Sequence, residues 1–146
     1  MSTTTALADI HKSASQYAVF RIAKGETNKF VLLIDPTTDD VDFVQVIEIF
    51  DVGGETPPNA HRAAHETFVV LHGQGIAMTN AGQIPLKPGS TLLVRPGGTH
   101  VVKNTGSTRL YCLTSMIPDE EFAALIRSGV PDRLDEIDLQ ALAWQR

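Results

Sequence analysis

From Tyr17 to Ile117 the chain keeps one rhythm, in which short runs of β-branched and aromatic residues are broken by turn chemistry every six to twelve residues. The runs are YAVFRI, KFVLLI, DFVQVIEIF, TFVVLH, GIAMT, IPL, TLLVR, THVVKN and RLYCLTSMI. In the third, Phe43, Gln45, Ile47 and Ile49 alternate with Val44, Val46, Glu48 and Phe50, the period of a strand. Between the runs stand segments such as GETN, DPTTDD and TNAGQ, where Gly, Pro, Asn and Asp favour tight reversals. Many short strands at this spacing predict an all-β sandwich or barrel of antiparallel strands. Pro85 cannot donate to a ladder, so its run belongs at an edge or a strand end.

The two ends of this block break the pattern. Residues 1–16 read as a tail or a short helix from Thr5 to Ser13, and residues 17–117 as the barrel. Residues 118–146 read as a helical extension packed on it. There Asp119, Glu120 and Glu121 suit a first helical turn, with Phe122, Leu125 and Ile126 on one face before a stop at Gly129. A second helix is expected within Leu134 to Trp144, with Leu134, Ile137, Ala141 and Leu142 as its apolar stripe and Trp144 as a packing anchor.

At 146 residues and 42% hydrophobic, the chain has the size and composition of one globular domain. Twelve basic against seventeen acidic residues leave a net charge of -5 with no Lys/Arg cluster, which argues against nucleic acid as a partner. No apolar run is long enough to span a bilayer and the first residues lack a leader's apolar core, so a cytoplasmic protein is expected. The single cysteine, Cys112, sits in the apolar run LYCL and reads as a buried small hydrophobe.

Chemistry concentrates in Gly54–Gly73 (GETPPNAHRAAHETFVVLHG) and Gly89–Asn104 (GSTLLVRPGGTHVVKN). A divalent transition metal is held by imidazoles and carboxylates converging on one point, and His61, Glu66 and His100 can supply that set. Ligands on neighbouring antiparallel strands converge where inward faces meet, so distance along the chain is no obstacle.

The two stretches resemble the paired motifs of the cupins, small jelly-roll β-barrels. The first runs from Gly54 through Asn59 and His61, four residues, Glu66 and six residues to Gly73. The second runs from Gly89 through Pro96, Gly97 and His100 to Asn104. The resemblance implies a cupin barrel with short C-terminal helices, metal ligands at His61, Glu66 and His100, and a structural role for Asn104. It also implies a divalent transition metal, with Fe, Mn, Ni and Zn all open. The sequence departs from the motifs twice, with Asn59 where the first histidine stands and Arg95 for a proline. An amide oxygen is a poorer ligand than imidazole, so the site reads either as two histidines and one carboxylate with open positions or as a site that binds metal weakly.

Asn59, His65 and His72 are further candidates for a ligand or a pocket position. His65 adjoins Glu66 and should face the opposite side of its strand, whereas His72 shares the parity of Glu66. Phe68, Val70 and Val102 also share the ligands' parity and are expected to line a substrate pocket. Arg95 is weighed as an anion clamp against a solvent-facing cation. Two functions stay open: a metal-dependent enzyme of dioxygenase, isomerase or decarboxylase type on a small organic substrate, and a non-catalytic ligand-binding or sensing module. A homodimer covering exposed strand edges is also expected.

Overall fold

The computed structural model describes residues 6–145. After a 3₁₀ turn at Ala14–Gln16, the strands are β1 (Ala18–Arg21), β2 (Asn28–Ile34), β3 (Val44–Phe50), β4 (His65–His72), β5 (Gly75–Thr79), β6 (Gly82–Leu86), β7 (Thr91–Val94), β8 (Val101–Asn104), β9 (Leu110–Ile117) and β10 (Val130–Pro131). Three short helices, α1 (Pro36–Asp39), α2 (Phe122–Arg127) and α3 (Glu136–Leu142), complete the set. All named pairings are antiparallel. They build one sheet in the order β10-β1-β2-β3-β9-β4-β7 and a second in the order β6-β5-β8, which puts Pro85 on an edge strand.

Alternation sorts the large sheet into two faces. Leu32, Val44, Val46, Phe50, Phe68, Val70, Leu110, Cys112 and Met116 point inward, and part of this set meets Ala77, Leu86 and Val102 of the small sheet. On the other face Val31, Ile47, Ile49 and Tyr111 pack under Leu134, Leu139 and Trp144. Strands β2 and β3 are thus covered on both faces, which explains why KFVLLI and VQVIEIF are nearly continuously apolar.

The ends depart from the sequence reading in four places. Thr5, the first residue of the proposed N-terminal helix, lies outside the described residues, and residues 6–13 are not helical. Asp119–Glu121 precede α2 rather than forming its first turn. Glu120 and Glu121 take left-handed φ values of 51° and 65°, and Asp119 Oδ1 accepts from the Ala123 amide at 2.9 Å. The extension contributes a strand as well as helices, since β10 pairs with β1. A β-carbon at Gly129 would lie 2.0 Å from the Arg21 carbonyl oxygen, so only glycine allows that approach. Finally, Ile137 is 60% exposed while Asp138 is fully buried. Leu134, Ala141 and Leu142 of the expected stripe do pack on the barrel, while a buried ionic cluster, described below, brings Asp138 inward in place of Ile137.

Candidate metal centre

The two motif stretches become neighbours through backbone pairing. Segment 54–61 runs antiparallel to 97–104: Thr56 N donates to Val102 O (2.9 Å), Asn59 and His100 exchange both amide bonds (3.1 and 2.8 Å), and Gly97 N donates to His61 O (2.8 Å). Gly97 turns with φ 85°, a conformation that favours glycine. His100 therefore lies opposite Asn59 and diagonal to His61, with ring centroids 5.3 Å apart. Asn104 anchors the end of this pairing. Its Nδ2 lies 2.9–3.2 Å from the carbonyls of Phe50, Asp51 and Thr108, and its Oδ1 accepts from Gly106 N.

Glu66 reaches the same point from β4 in the other sheet. Its Oε1 lies 2.8 Å from both His61 Nε2 and His100 Nε2, and all three side chains are buried. One candidate ligand atom from each of the three residues lies within 4.8 Å of the other two. Atoms bound to one ion at about 2.1 Å stand about 3 Å apart, so the three groups are close enough to share an ion. His100 Nδ1 is 3.4 Å from Gly98 O, a long contact that suits the tautomer with Nε2 free for a metal. Two imidazoles and a carboxylate, buried and convergent, fit a divalent transition metal.

The electrostatics follow from this packing. Hydrogen bonding to Glu66 raises the pKa of His61 against the opposing effect of burial. For Glu66, burial pushes upward, but the bonds from His100 and His61 outweigh it and hold the carboxyl below its ordinary value.

The cluster opens into a cavity of about 360 Å³ between the sheets and α2. Phe30, Phe68, Met116 and Phe122 supply its apolar wall. Glu48 from β3 also lines it, 3% exposed, with Oε2 accepting from Asn28 Nδ2 at 2.8 Å. Burial, reinforced by the charge of Glu66, pushes Glu48 up to about 8. At the mouth, Glu120 accepts from the amides of Ala63 (2.9 Å) and Ala64 (3.1 Å), fastening the loop that carries His61 to the segment before α2.

Residues 46–116 match the family model of the cupin domain. The matched stretch is just under half of the chain, and the fold of the whole is that of a cupin barrel. Solved structures similar to this cupin include a predicted oxalate decarboxylase from Thermotoga maritima, with TM-score 0.63 and 20% identity over 73% of this chain and 97% of that one. An RmlC-like cupin from Shewanella frigidimarina gives TM-score 0.65 at 19% identity, covering 79% and 96%. At these identities the likeness concerns the fold. An oxalate-binding protein of Thermotoga maritima is 29% identical over 65 residues, which are 44% of this chain and 54% of that protein. The matched region thus spans about half the length of that relative.

Of the residues singled out from sequence, the structure brings together His61, Glu66 and His100, and adds Asn59 and Phe68 to the cavity wall. Asn59 is held by its backbone pairing to His100. The others lie elsewhere. His65 is exposed, as its parity requires. His72 is exposed too, because a register shift between Val70 and His72 breaks the alternation, and its ring stands edge-on to Tyr111. Val70 and Val102 are spent in the core that joins the two sheets and do not line the cavity. Arg95 is exposed beyond β7, whose inward residues are Leu92 and Val94; it borders a second pocket of about 240 Å³, on the other side of His100 from the cavity. Glu48 and Asn28 were missed as site residues, although the alternation of β3 put Glu48 in phase with Val44, Val46 and Phe50.

Proposed function

We propose that this cupin is a metal-dependent enzyme acting on a small organic molecule in the cavity above His61, Glu66 and His100. The observation that carries the reading is the convergence of two buried imidazoles and a buried carboxylate at the wall of a pocket with a mostly apolar lining. The two Nε2 atoms and the Glu66 carboxylate would hold a divalent transition metal, with Fe, Mn, Ni and Zn as candidates. When bound, such an ion supplies a Lewis acid or an oxygen-activating centre.

The chain's own groups have definable parts in this reading. Phe30, Phe68 and Met116 exclude water and strengthen every polar interaction inside. Burial and the charge of Glu66 raise Glu48 to about 8, so its carboxyl, with Oε2 engaged by Asn28, can exchange a proton with a substrate oxygen or nitrogen. Glu120 fixes the loop of His61, so the ligand geometry does not depend on a free loop.

The reaction type is dioxygenase, isomerase or decarboxylase. Oxalate, bound by one relative, suits this cavity poorly, because no Lys or Arg lines it to meet a dianion. Oxygen uptake with Fe(II)-loaded protein against catechols and diketones tests the oxidative version. Substrate-dependent uptake abolished by Glu66→Gln supports it, and flat traces reject it.

A second reading, a non-catalytic ligand-binding or sensing module, is favoured by one observation: Glu66 satisfies both histidines without any metal. The division into an N-terminal tail (1–16), a barrel (17–117) and an extension (118–146) belongs to the same proposal, as does a homodimer covering edge strands β6 and β7. A cytoplasmic location accords with the buried free Cys112. Among the described residues no helix is long and apolar enough to cross a membrane.

A further inference from the structure

The charge of the cavity lining is one-sided. Glu26, Glu48, Glu55, Glu66, Glu120 and Glu121 line it, and no Lys or Arg does. Arg62 is close enough to Glu120 to help lower its pKa, after the bonds from Ala63 and Ala64, but it is exposed and outside the lining. Even with Glu48 counted as neutral and a divalent cation on the His61 cluster, the lining stays net negative.

A second observation points to a ligand inside. Glu48 is 3% exposed, and among the described residues its carboxyl receives one hydrogen bond, to Oε2 from Asn28. Its Oε1 takes no bond there, and because Glu48 belongs to the cavity lining, a donor arriving through the cavity can reach the carboxyl. Phe30, Phe68 and Phe122 stand in the same wall and offer ring faces or edges to an apolar body. A protonated amine on that body would meet a carboxyl acceptor and aromatic rings within, and an acidic rim on the way in.

We propose that the cavity selects a small organic cation, an apolar body bearing a protonated amine, over carboxylate-bearing molecules of the same size. This rests on reading the cavity as the ligand site, and it concerns the substrate's charge rather than the reaction.

The test is calorimetric titration with three probes of matched shape, benzylamine, benzyl alcohol and benzoate, on metal-free and on Mn(II)-loaded protein. Benzylammonium is expected to bind about tenfold or more tighter than benzoate, with the alcohol between. Added salt should shrink that ratio. The triple variant Glu26→Gln, Glu55→Gln, Glu121→Gln alters only rim residues, so it should fold and lose several-fold of the preference. Equal or tighter benzoate binding in both forms, or no heat from the amine at high concentration, overturns the inference. Benzoate preferred only after Mn(II) loading would also overturn it while leaving the metal reading intact. A protein that takes up no Mn(II) yet prefers the amine supports the inference while the metal reading fails.

Discussion

The large sheet carries a buried polar cluster on each face, and the two are finished differently. On the outer face Asp138 of α3 uses both oxygens. Oδ1 accepts from Arg109 Nη1 (3.0 Å) and Tyr111 OH (2.8 Å), while Oδ2 contacts Lys29 Nζ and accepts from Asp135 N (3.1 Å). Lys29 also donates to Arg133 O, and Arg109 to both oxygens of Asp135, whose pKa is held down to about 2 against burial by the Asp138 amide and Arg109. On the inner face two histidines share one oxygen of Glu66, Glu48 receives one bond, and both carboxyls border a cavity. A closed network holds α3 on the barrel, whereas the inner carboxyls and imidazoles front a cavity through which a ligand can reach them. Access from a cavity, more than burial or charge, separates scaffold from site in this molecule.

The sharpest way to break this contrast is to cut each cluster at its centre. Asp138→Ala strands Lys29 and Arg109 and should cost about 3–5 kcal/mol in urea unfolding while leaving metal uptake by the folded fraction intact. Lost metal uptake in the folded fraction would mean that the two faces are coupled.

Glu48→Gln comes next. Glu48 holds its proton up to about pH 8 in the fold but releases it near 4.5 when unfolded. Between those values the folded state binds the extra proton, so stability falls as pH rises, by up to about 1.4 kcal/mol per unit. In metal-free protein the variant should remove that slope and be the more stable form by a few kcal/mol at pH 8, with little difference below pH 4.5. Parallel pH profiles for variant and parent would contradict the assignment of Glu48 as a buried neutral acid.

How much of this was legible beforehand depended on period and spacing. Strand alternation and turn chemistry announced the sheets, and motif spacing brought His61, Glu66 and His100 together across separate strands. Glu48 was visible in principle, as a carboxylate in phase with Val44, Val46 and Phe50, but alternation alone does not tell which face holds a cavity. The shift at His72 left no local mark, because a bulge depends on what its partner strand does. On α3 the stripe through Ile137 lost to the pairing of Asp138 with Lys29 and Arg109, a tertiary effect that helical period cannot register. The Glu120 clamp likewise joins residues far apart in sequence.

Smaller effects sharpen the picture of the cavity mouth. Glu120→Ala frees the Ala63 and Ala64 amides and should weaken metal affinity several-fold through the loosened His61 loop, with a small loss of stability. Metal titration and urea unfolding report the two separately. Arg95→Ala should change stability by less than about 0.5 kcal/mol and leave ligand titrations unmoved, because the guanidinium lies outside the cavity.

The central claim is that the inner cluster is a metal site. Elemental analysis of protein purified without chelators, alongside His100→Ala, addresses it directly. Near-stoichiometric transition metal in the parent, lost in a variant that still folds, is the expected result. A metal-free parent that takes up none on addition of Fe(II), Mn(II), Ni(II) or Zn(II), or a variant that keeps the parent's metal content, would contradict it.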